Sequence, residues 1–252
     1  MTWWQTFFDA DYLTLWGGAS PAQADAQQAD GLWQLLGLRP GDRLLDAPCG
    51  YGRLSRLLAL RGARVLGVDQ SAALLSAARR RSEGIDPASL RYLEHDLRTP
   101  LAESGFDAAI NVYTSLGYGT QADDLAILQT LHHAVRPAGL VLVETLHREA
   151  ALAALQAGLV SHHLPDGTIL TEEPSYDAAR LRMDTRWSWS GPAGTGRKLS
   201  SVRLYTPGEL AQLLEQAGLA VRSLHADCTP EPFVATGRKQ SPRVGIVAVR
   251  PR

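Results

Sequence analysis

The sequence predicts an α/β fold: a doubly wound sheet with a helical N-terminal cap and a small antiparallel β insertion. Three observations carry that prediction. Strand and helix patterns alternate from residue 42 to about 145, which calls for right-handed crossovers and a parallel sheet covered on both faces. The first two strands each end in an acid, Asp46 and Asp69, and the first runs into a turn holding Gly50 and Gly52. From residue 158 the pattern changes to polar–apolar alternation broken by turns, as in an antiparallel sheet with one exposed face.

Taken in order, Thr6 to Trp16 reads as a helix, and so does Pro21 to Leu38, where Ala29, Leu32, Trp33 and Leu36 fall near helical spacing. Gly37 and Pro40-Gly41 stop the second helix. Residues 42–47 and 64–69 read as strands, with helices over 51–62 and 71–82, the latter capped by Ser71. Further strands are expected at 89–94, 106–112 and 139–145, with a helix over 121–135 and a turn at Arg136-Pro137-Ala138-Gly139. Strand patterns at Gly167–Glu173, Leu181–Ser190 and Lys198–Tyr205 make the insertion. Thr206-Pro207-Gly208-Glu209 has the form of a capping box with proline at the first helical position, opening a helix over 207–217 that Gly218 ends. Leu219–Ala226 and Val244–Val249 are strand patterns that return to the main sheet. The expected organisation is one domain over 1–252, with a cap (1–40), a core (41–150), an insertion (158–205) and a completing segment (206–252).

At 252 residues the chain can bury a sizeable core. Its 25 Lys+Arg against 26 Asp+Glu leave a net charge of −1, which gives no electrostatic case for a dedicated nucleic-acid binder. Short basic runs, Arg79-Arg80-Arg81 and Arg238-Lys239, read as solvated surface. Two cysteines without CxxC spacing, no signal-peptide pattern and no long apolar run lead us to expect a cytoplasmic protein with reduced thiols and no membrane partner. Cys49 reads as a small side chain packed under the glycine turn rather than a nucleophile.

Glycines let backbone approach a ligand where a Cβ would clash, and an acid ending the second strand can accept both hydroxyls of a ribose. Asp46 sharpens this: a carboxylate beside the turn repels a pyrophosphate but favours a cationic ligand. Asp46, Asp69, Asp96 and Asn111 all fall at or just past strand ends, where open parallel sheets bind ligands. Each alone could be a turn residue, but four from four strands converge on one edge.

In context, these segments resemble the class I S-adenosylmethionine-dependent methyltransferases. Leu44-Leu45-Asp46-Ala47-Pro48-Cys49-Gly50-Tyr51-Gly52-Arg53 looks like the first family motif, Val68-Asp69-Gln70-Ser71 the second and His95-Asp96-Leu97 the third. The run Phe106 to Tyr118 looks like the fourth, followed by the helix–turn–strand around Arg136-Pro137-Ala138-Gly139. The similarity spans about 30–150, and the Ser115-Leu116-Gly117-Tyr118 run is similar to small-molecule members, sugar-amine N-methyltransferases among them. The resemblance implies a Rossmann-like sheet, mostly parallel with an antiparallel last strand, binding S-adenosylmethionine and releasing S-adenosylhomocysteine. It implies that Pro48, Gly50 and Gly52 pass the methionine portion and that Asp46 lies near its amino group. Asp69 would take the ribose hydroxyls, Gln70 and Leu74 flank the adenine, Asp96 and Leu97 meet the adenine edge, and Asn111 the methionine end. Arg53, opening the next helix, faces the cofactor, a carboxylate or solvent.

Methyl transfer from a sulfonium needs alignment and exclusion of water more than a strong base. Candidates for the acceptor side are Tyr12 and Trp16 as a lid, Tyr113, Thr114, Ser115 and Tyr118 on the fourth-motif loop, and Glu144 with His147 after a strand end. Aromatic faces suit a sulfonium or protonated amine. Trp3, Trp4, Phe7 and Phe8 read as ordinary packing of an amphipathic helix, and His147 is the best base candidate if one is used. His132-His133 and His162-His163 are adjacent pairs whose side chains diverge, so no metal is expected. Trp187 and Trp189 share a face of a strand that something must cover; with Arg186, Arg197 and Arg203 they shape either a pocket or a homodimer contact. The expected partner is a small-molecule methyl acceptor. Competing readings are a dinucleotide-dependent oxidoreductase, disfavoured because the turn lacks the third glycine of G-x-G-x-x-G, and a non-catalytic S-adenosylmethionine-binding protein. A nucleic-acid methyltransferase would show a basic face, and none is evident in the sequence.

Overall fold

The computed structural model describes residues 2–17, 21–155, 158–192, 194–234 and 242–252; Arg238-Lys239 lies outside the described residues. Two short helices, α1 (Trp4–Phe7) and α2 (Ala10–Trp16), precede α3 (Ala22–Leu35). The core then runs β1 (Arg43–Asp46), α4 (Arg53–Leu60), β2 (Arg64–Asp69), α5 (Ala72–Arg81), β3 (Leu90–Glu94), β4 (Phe106–Asn111), α6 (Gln121–Ala134) and β5 (Val135–Leu146). After α7 (Arg148–Ala154) comes a four-stranded set: β6 (Val160–His163), β7 (Ile169–Asp177), β8 (Arg182–Gly191) and β9 (Gly194–Arg203). The described chain closes with α8 (Pro207–Gln216), β10 (Ala220–Ala226) and β11 (Arg243–Val249).

The main sheet has seven strands in the order β10-β11-β5-β4-β1-β2-β3. Pairing is parallel from β5 through β3, while β11 runs antiparallel between β5 and β10. The expected antiparallel last strand is therefore present. Strand order reverses between β1 and β4, so the carboxyl ends of β1, β2 and β4 border the crevice where such sheets take ligands.

The core strands read as continuous apolar runs because both faces are covered. Leu44 and Leu45 point to opposite sides, as successive strand residues must. Leu45 joins Leu66, Val68, Val141 and Val143 under α6 and α8, whereas Leu44 joins Val65, Ile110 and Leu142 under α3 and α4.

Local signals placed most boundaries. Ser71 accepts from the Leu74 N–H at the start of α5, and Thr206 with Glu209 forms the reciprocal capping box of α8. Three expectations are corrected. The single helix expected over Thr6–Trp16 is two, because Asp9 adopts extended backbone and caps α2 by accepting from the Tyr12 N–H. The turn at Arg136–Gly139 lies within the span of β5, where Val135 already pairs with Phe106 and the register then shifts. Helix α7 and strand β6 were not anticipated; α7 is capped by His147, and β6 pairs antiparallel with β7.

The four-stranded antiparallel sheet, β6-β7-β8-β9, packs its β8–β9 part against the N-terminal helices. Lys198 on β9 pairs with Asp9 at 2.5 Å and lies over the Phe7 ring, while Trp187 on β8 meets Phe7 and Trp16. Trp187 is thus covered by α1 and α2, and Trp189 by contact with the backbone of Gly196, where a Cβ would sit 2.2 Å from the indole. No helix among the described residues is long and apolar enough to cross a membrane.

Candidate active site

A cleft opens at the carboxyl ends of β1, β2 and β4. Its floor is the glycine turn. Gly50 and Gly52 adopt φ of +55° and +75°, which L side chains rarely occupy. A Cβ on Gly50 would meet no atom within 4 Å, so the backbone there faces open cleft. At Gly52 a Cβ would lie 2.3 Å from the Tyr92 hydroxyl, and this glycine serves close packing under the turn rather than lining the cleft.

Asp69, at the end of β2, lines the cleft while buried. One carboxylate oxygen accepts from the Gly50 N–H and the other from the Ser71 N–H, each at 2.9 Å, which ties the turn to the start of α5. A carboxylate oxygen carries two lone pairs, so acceptor capacity remains on both. Burial raises its pKa, against these backbone hydrogen bonds. Gln70 and Leu74 continue this wall.

Asp46 is fully buried at the base of the turn and accepts from the Ser55 hydroxyl. Burial pushes its carboxyl up to about 7, opposed by the Ser55 hydrogen bond and the Arg53 guanidinium. Arg53 also lines the cleft, with its nitrogens on Asp25 and Gln28 of α3, each at 2.7 Å, and its guanidinium 5.5 Å from the Tyr113 ring. Asp96 and Leu97 close the far end. Arg98 forks onto Asp96 and holds its carboxyl below the usual range.

The facing wall is aromatic. Trp4, Phe8 and Tyr12 come down from α1 and α2, and Tyr113, Ser115 and Tyr118 from the loop after β4. Phe8 stacks on Tyr118 with centroids 5.7 Å apart, and Tyr12 meets Phe8 edge-on. Burial raises the phenol pKa of Tyr12 and Tyr118, which favours their neutral form. Tyr113 is 55% exposed, and it and Thr114 both have positive φ, 67° and 58°. That turn is held by Glu144: its carboxylate accepts from the Tyr113 N–H at 2.6 Å and pairs with Arg243, which also donates to the Thr114 hydroxyl.

Besides Thr114 and Glu144, which hold the turn without lining the cleft, four candidates lie outside it. His147, expected as the base, is 0% exposed, caps α7, meets Glu149 and packs edge-on against Phe233, outside the cleft. Asn111 is buried, and its amide donates to the Ala47 carbonyl at 2.8 Å, bracing the turn from below. Trp16 stacks on Tyr12 from behind and so supports the lid without forming its inner face. Gly52 is the fourth. Cys49 does line the cleft, but its buried thiol has a raised pKa, which removes nucleophilic character. Glu144, Asp227 and Cys228 could gather around a metal ion, yet the Glu144 oxygens are already engaged by Arg243 and the Tyr113 N–H.

Sequence reading missed Trp4 and Phe8, which it assigned to packing. The signal was present: Trp4 opens α1, and Phe8 lies just past its end, next to the break at Asp9. It also missed Asp124, which lines the cleft and accepts from the Gly117 N–H at 2.9 Å and the Tyr205 hydroxyl at 2.6 Å. Nothing local distinguishes that residue from an ordinary acid in a first helical turn.

A glycine turn and an acid-ended second strand at the switch point of a doubly wound sheet define a nucleoside-binding site. A family model described as a methyltransferase domain matches residues 44–139. The malonyl-[acyl-carrier protein] O-methyltransferase of Pseudescherichia vulneris is 31% identical over 209 residues, covering 82% of this chain and 76% of that protein. The ubiquinone biosynthesis O-methyltransferase of Ruegeria pomeroyi is 33% identical over 186 residues, covering 71% of this chain; the chain spans 60% of that relative's length. Among solved structures, the CcbJ methyltransferase from Streptomyces caelestis superposes with a TM-score of 0.81 at 21% identity, covering 100% of this chain and 99% of that one. The amino pentose methyltransferase CalS10 from Micromonospora echinaspora, solved with bound S-adenosylmethionine, gives 0.68 at 21%, covering 95% and 96%. The chain belongs to the class I S-adenosylmethionine-dependent methyltransferase family.

Proposed function

We propose that this protein moves the methyl group of S-adenosylmethionine to a nitrogen or oxygen of a small molecule by direct displacement, with residues 1–252 acting as one catalytic unit. The observation that carries the reading is Asp69, a buried carboxylate with spare acceptor capacity, opening on the cleft beside an open glycine backbone. These residues fit the cofactor: a diol needs an acceptor of this kind, and its amino-acid portion needs backbone without side chains.

When bound, S-adenosylmethionine supplies a methyl carbon activated by a sulfonium sulfur. Asp69 accepts from the ribose hydroxyls, Gln70 and Leu74 flank the base, and Asp96 with Leu97 meets its edge. Pro48 and Gly50 border the methionine portion. Asp46 would lie near the cofactor's ammonium group, and a neighbouring cation favours the charged form of its carboxyl. Phe8, Tyr12 and Tyr118 exclude water and turn ring faces toward positive charge. Tyr113 and Ser115 orient the acceptor. With His147 buried elsewhere, an amine acceptor loses its proton to water. The balanced net charge supports a substrate other than nucleic acid, and two cysteines without CxxC spacing support action in the cytoplasm. Exposed Leu199 and Ile169 on the insertion sheet support a homodimer contact there.

Calorimetric titration with S-adenosylmethionine and with NAD tests the cofactor. Transfer of a labelled methyl group onto aminosugars, phenols and acyl-carrier thioesters tests the reaction. Preference for NAD would sink the reading, and tight binding with no transfer to any acceptor would favour a non-catalytic cofactor-binding protein.

A further inference from the structure

The insertion sheet reaches the cleft through one side chain. Arg182, at the start of β8, sends its guanidinium across to the loop after β4. One terminal nitrogen donates to the Gly119 carbonyl at 2.9 Å; the other donates to those of Tyr118 at 2.8 Å and Gly117 at 3.1 Å. The Nε donates to the Ser201 hydroxyl at 2.8 Å, and a terminal nitrogen also meets the Ser201 carbonyl, so the fork is braced from β9. Three successive carbonyls converging on one cation are a backbone arrangement that, left alone, would be self-repelling.

The same three residues are gripped from other sides. Gly117 accepts from the Arg203 N–H at 2.7 Å and donates to Asp124, which is itself held by Tyr205. Its φ of +89° and a Cβ position 2.3 Å from the Arg203 carbonyl leave no room for a side chain there. Tyr118, between the gripped carbonyls, is half-buried, lines the cleft and packs against Trp3, Trp4 and Phe8 of the N-terminal cap.

We propose that Arg182 is a positioning residue for methyl transfer: it fixes the 117–119 backbone so that Tyr118 is presented to the cleft, and the insertion sheet is thereby part of the active site's construction. This rests on the proposed methyltransferase reading. Arg182 touches no reacting atom; it acts through the loop. A planar fork suits the task, since lysine offers a single ammonium point and cannot span carbonyls of three residues in the same way.

The test uses the full chain carrying Arg182→Ala or Arg182→Lys, followed by hydrogen exchange and mass spectrometry. Peptides covering 113–120 should exchange about tenfold faster or more in Arg182→Ala, with β1 and β2 unchanged. Arg182→Lys should fall between, and added methylguanidinium should restore protection to Arg182→Ala. Unchanged exchange at 113–120, or a loss spread evenly over the core, would overturn the proposal. If Arg182→Ala does not fold, Arg182→Lys decides by the same criterion. S-adenosylhomocysteine titrated into the wild type checks the underlying reading separately, since its failure leaves the exchange result standing. With an acceptor that the wild type methylates, Arg182→Ala should lower kcat while the S-adenosylhomocysteine Kd stays within about threefold, because the cofactor's polar contacts lie on the opposite wall.

Discussion

One wall of the cleft, from Asp46 to Leu74, comes from a single stretch of chain: β1, the glycine turn, β2 and the start of α5. Its polar groups include backbone N–H donors, two buried acids, Arg53 and Gln70, and most of the contacts that hold them join residues 28 or fewer positions apart. The other wall is assembled from α1, α2 and the loop after β4, with support from α6, the segment after β9 and the insertion sheet. Its inner surface is aromatic, and its order comes from contacts between residues 60 to 190 positions apart, such as Lys198 with Asp9 and Tyr205 with Asp124. The first wall suits a ligand that never varies. On the proposed reading the first wall takes the cofactor and the second takes the acceptor.

Substitutions that strain or loosen each wall can break this contrast. The largest effect is expected from Gly117→Ala. It adds a Cβ against the Arg203 backbone at a left-handed φ, and should destabilise the protein by about 2–4 kcal/mol in thermal or denaturant unfolding. Gly52→Ala, equally left-handed, should cost less, about 1–2 kcal/mol, because the nearest obstacle is the Tyr92 hydroxyl at the end of a side chain. Equal costs would contradict the view that the second wall is the more tightly interlocked.

Asp69→Ala should weaken S-adenosylmethionine binding by about 1–3 kcal/mol, measured by calorimetry, through unpaired hydroxyls and a loosened Gly50 turn. Hydrogen exchange at 113–119 should be unaffected, which would show that the walls are independent.

Asp46 gives a pH signature confined to the first wall. Its folded pKa of about 7 stands above the ordinary 3.8, so between those values the folded chain binds more protons than the unfolded one. The ligand-free protein therefore loses stability from this group as pH rises through that window. Ligand binding runs the other way: the ammonium group draws Asp46 into its charged form, so affinity should rise roughly tenfold between pH 5.5 and 8. Asp46→Asn should flatten both profiles.

Phe8→Leu removes ring contacts with Tyr118 and Tyr12 and should cost about 0.5–1.5 kcal/mol of stability. The smallest effect is expected from Lys198→Met. Asp9 is nearly half exposed, so losing this pair should cost under about 1 kcal/mol, with the difference shrinking in high salt.

How much of this was legible in the chain follows the same division. The glycine turn, Asp46, Asp69, Gln70 and Leu74 lie within thirty residues, and alternation and strand-end acids locate them without knowledge of packing. Caps were legible for the same reason: Ser71, Thr206 and Glu209 act on backbone three residues away. His147 misled because a histidine after a strand end has the same local pattern whether it faces the cleft or caps the next helix. Phe8 and Trp4 misled because an aromatic stripe looks alike against a core or a ligand. The break at Asp9 makes the difference.

The sequence by itself determined the sheet's alternation, the glycine turn, the acids at the strand ends and the place of the insertion. These rest on steric and hydrogen-bonding rules that act over a few residues. Only the tertiary structure decided which aromatic rings face the cleft, that Asn111 braces the turn from beneath, and that Arg182 holds the loop of Tyr118 from another sheet. Those outcomes depend on which distant surfaces are buried together, and burial is a property of the whole packed chain.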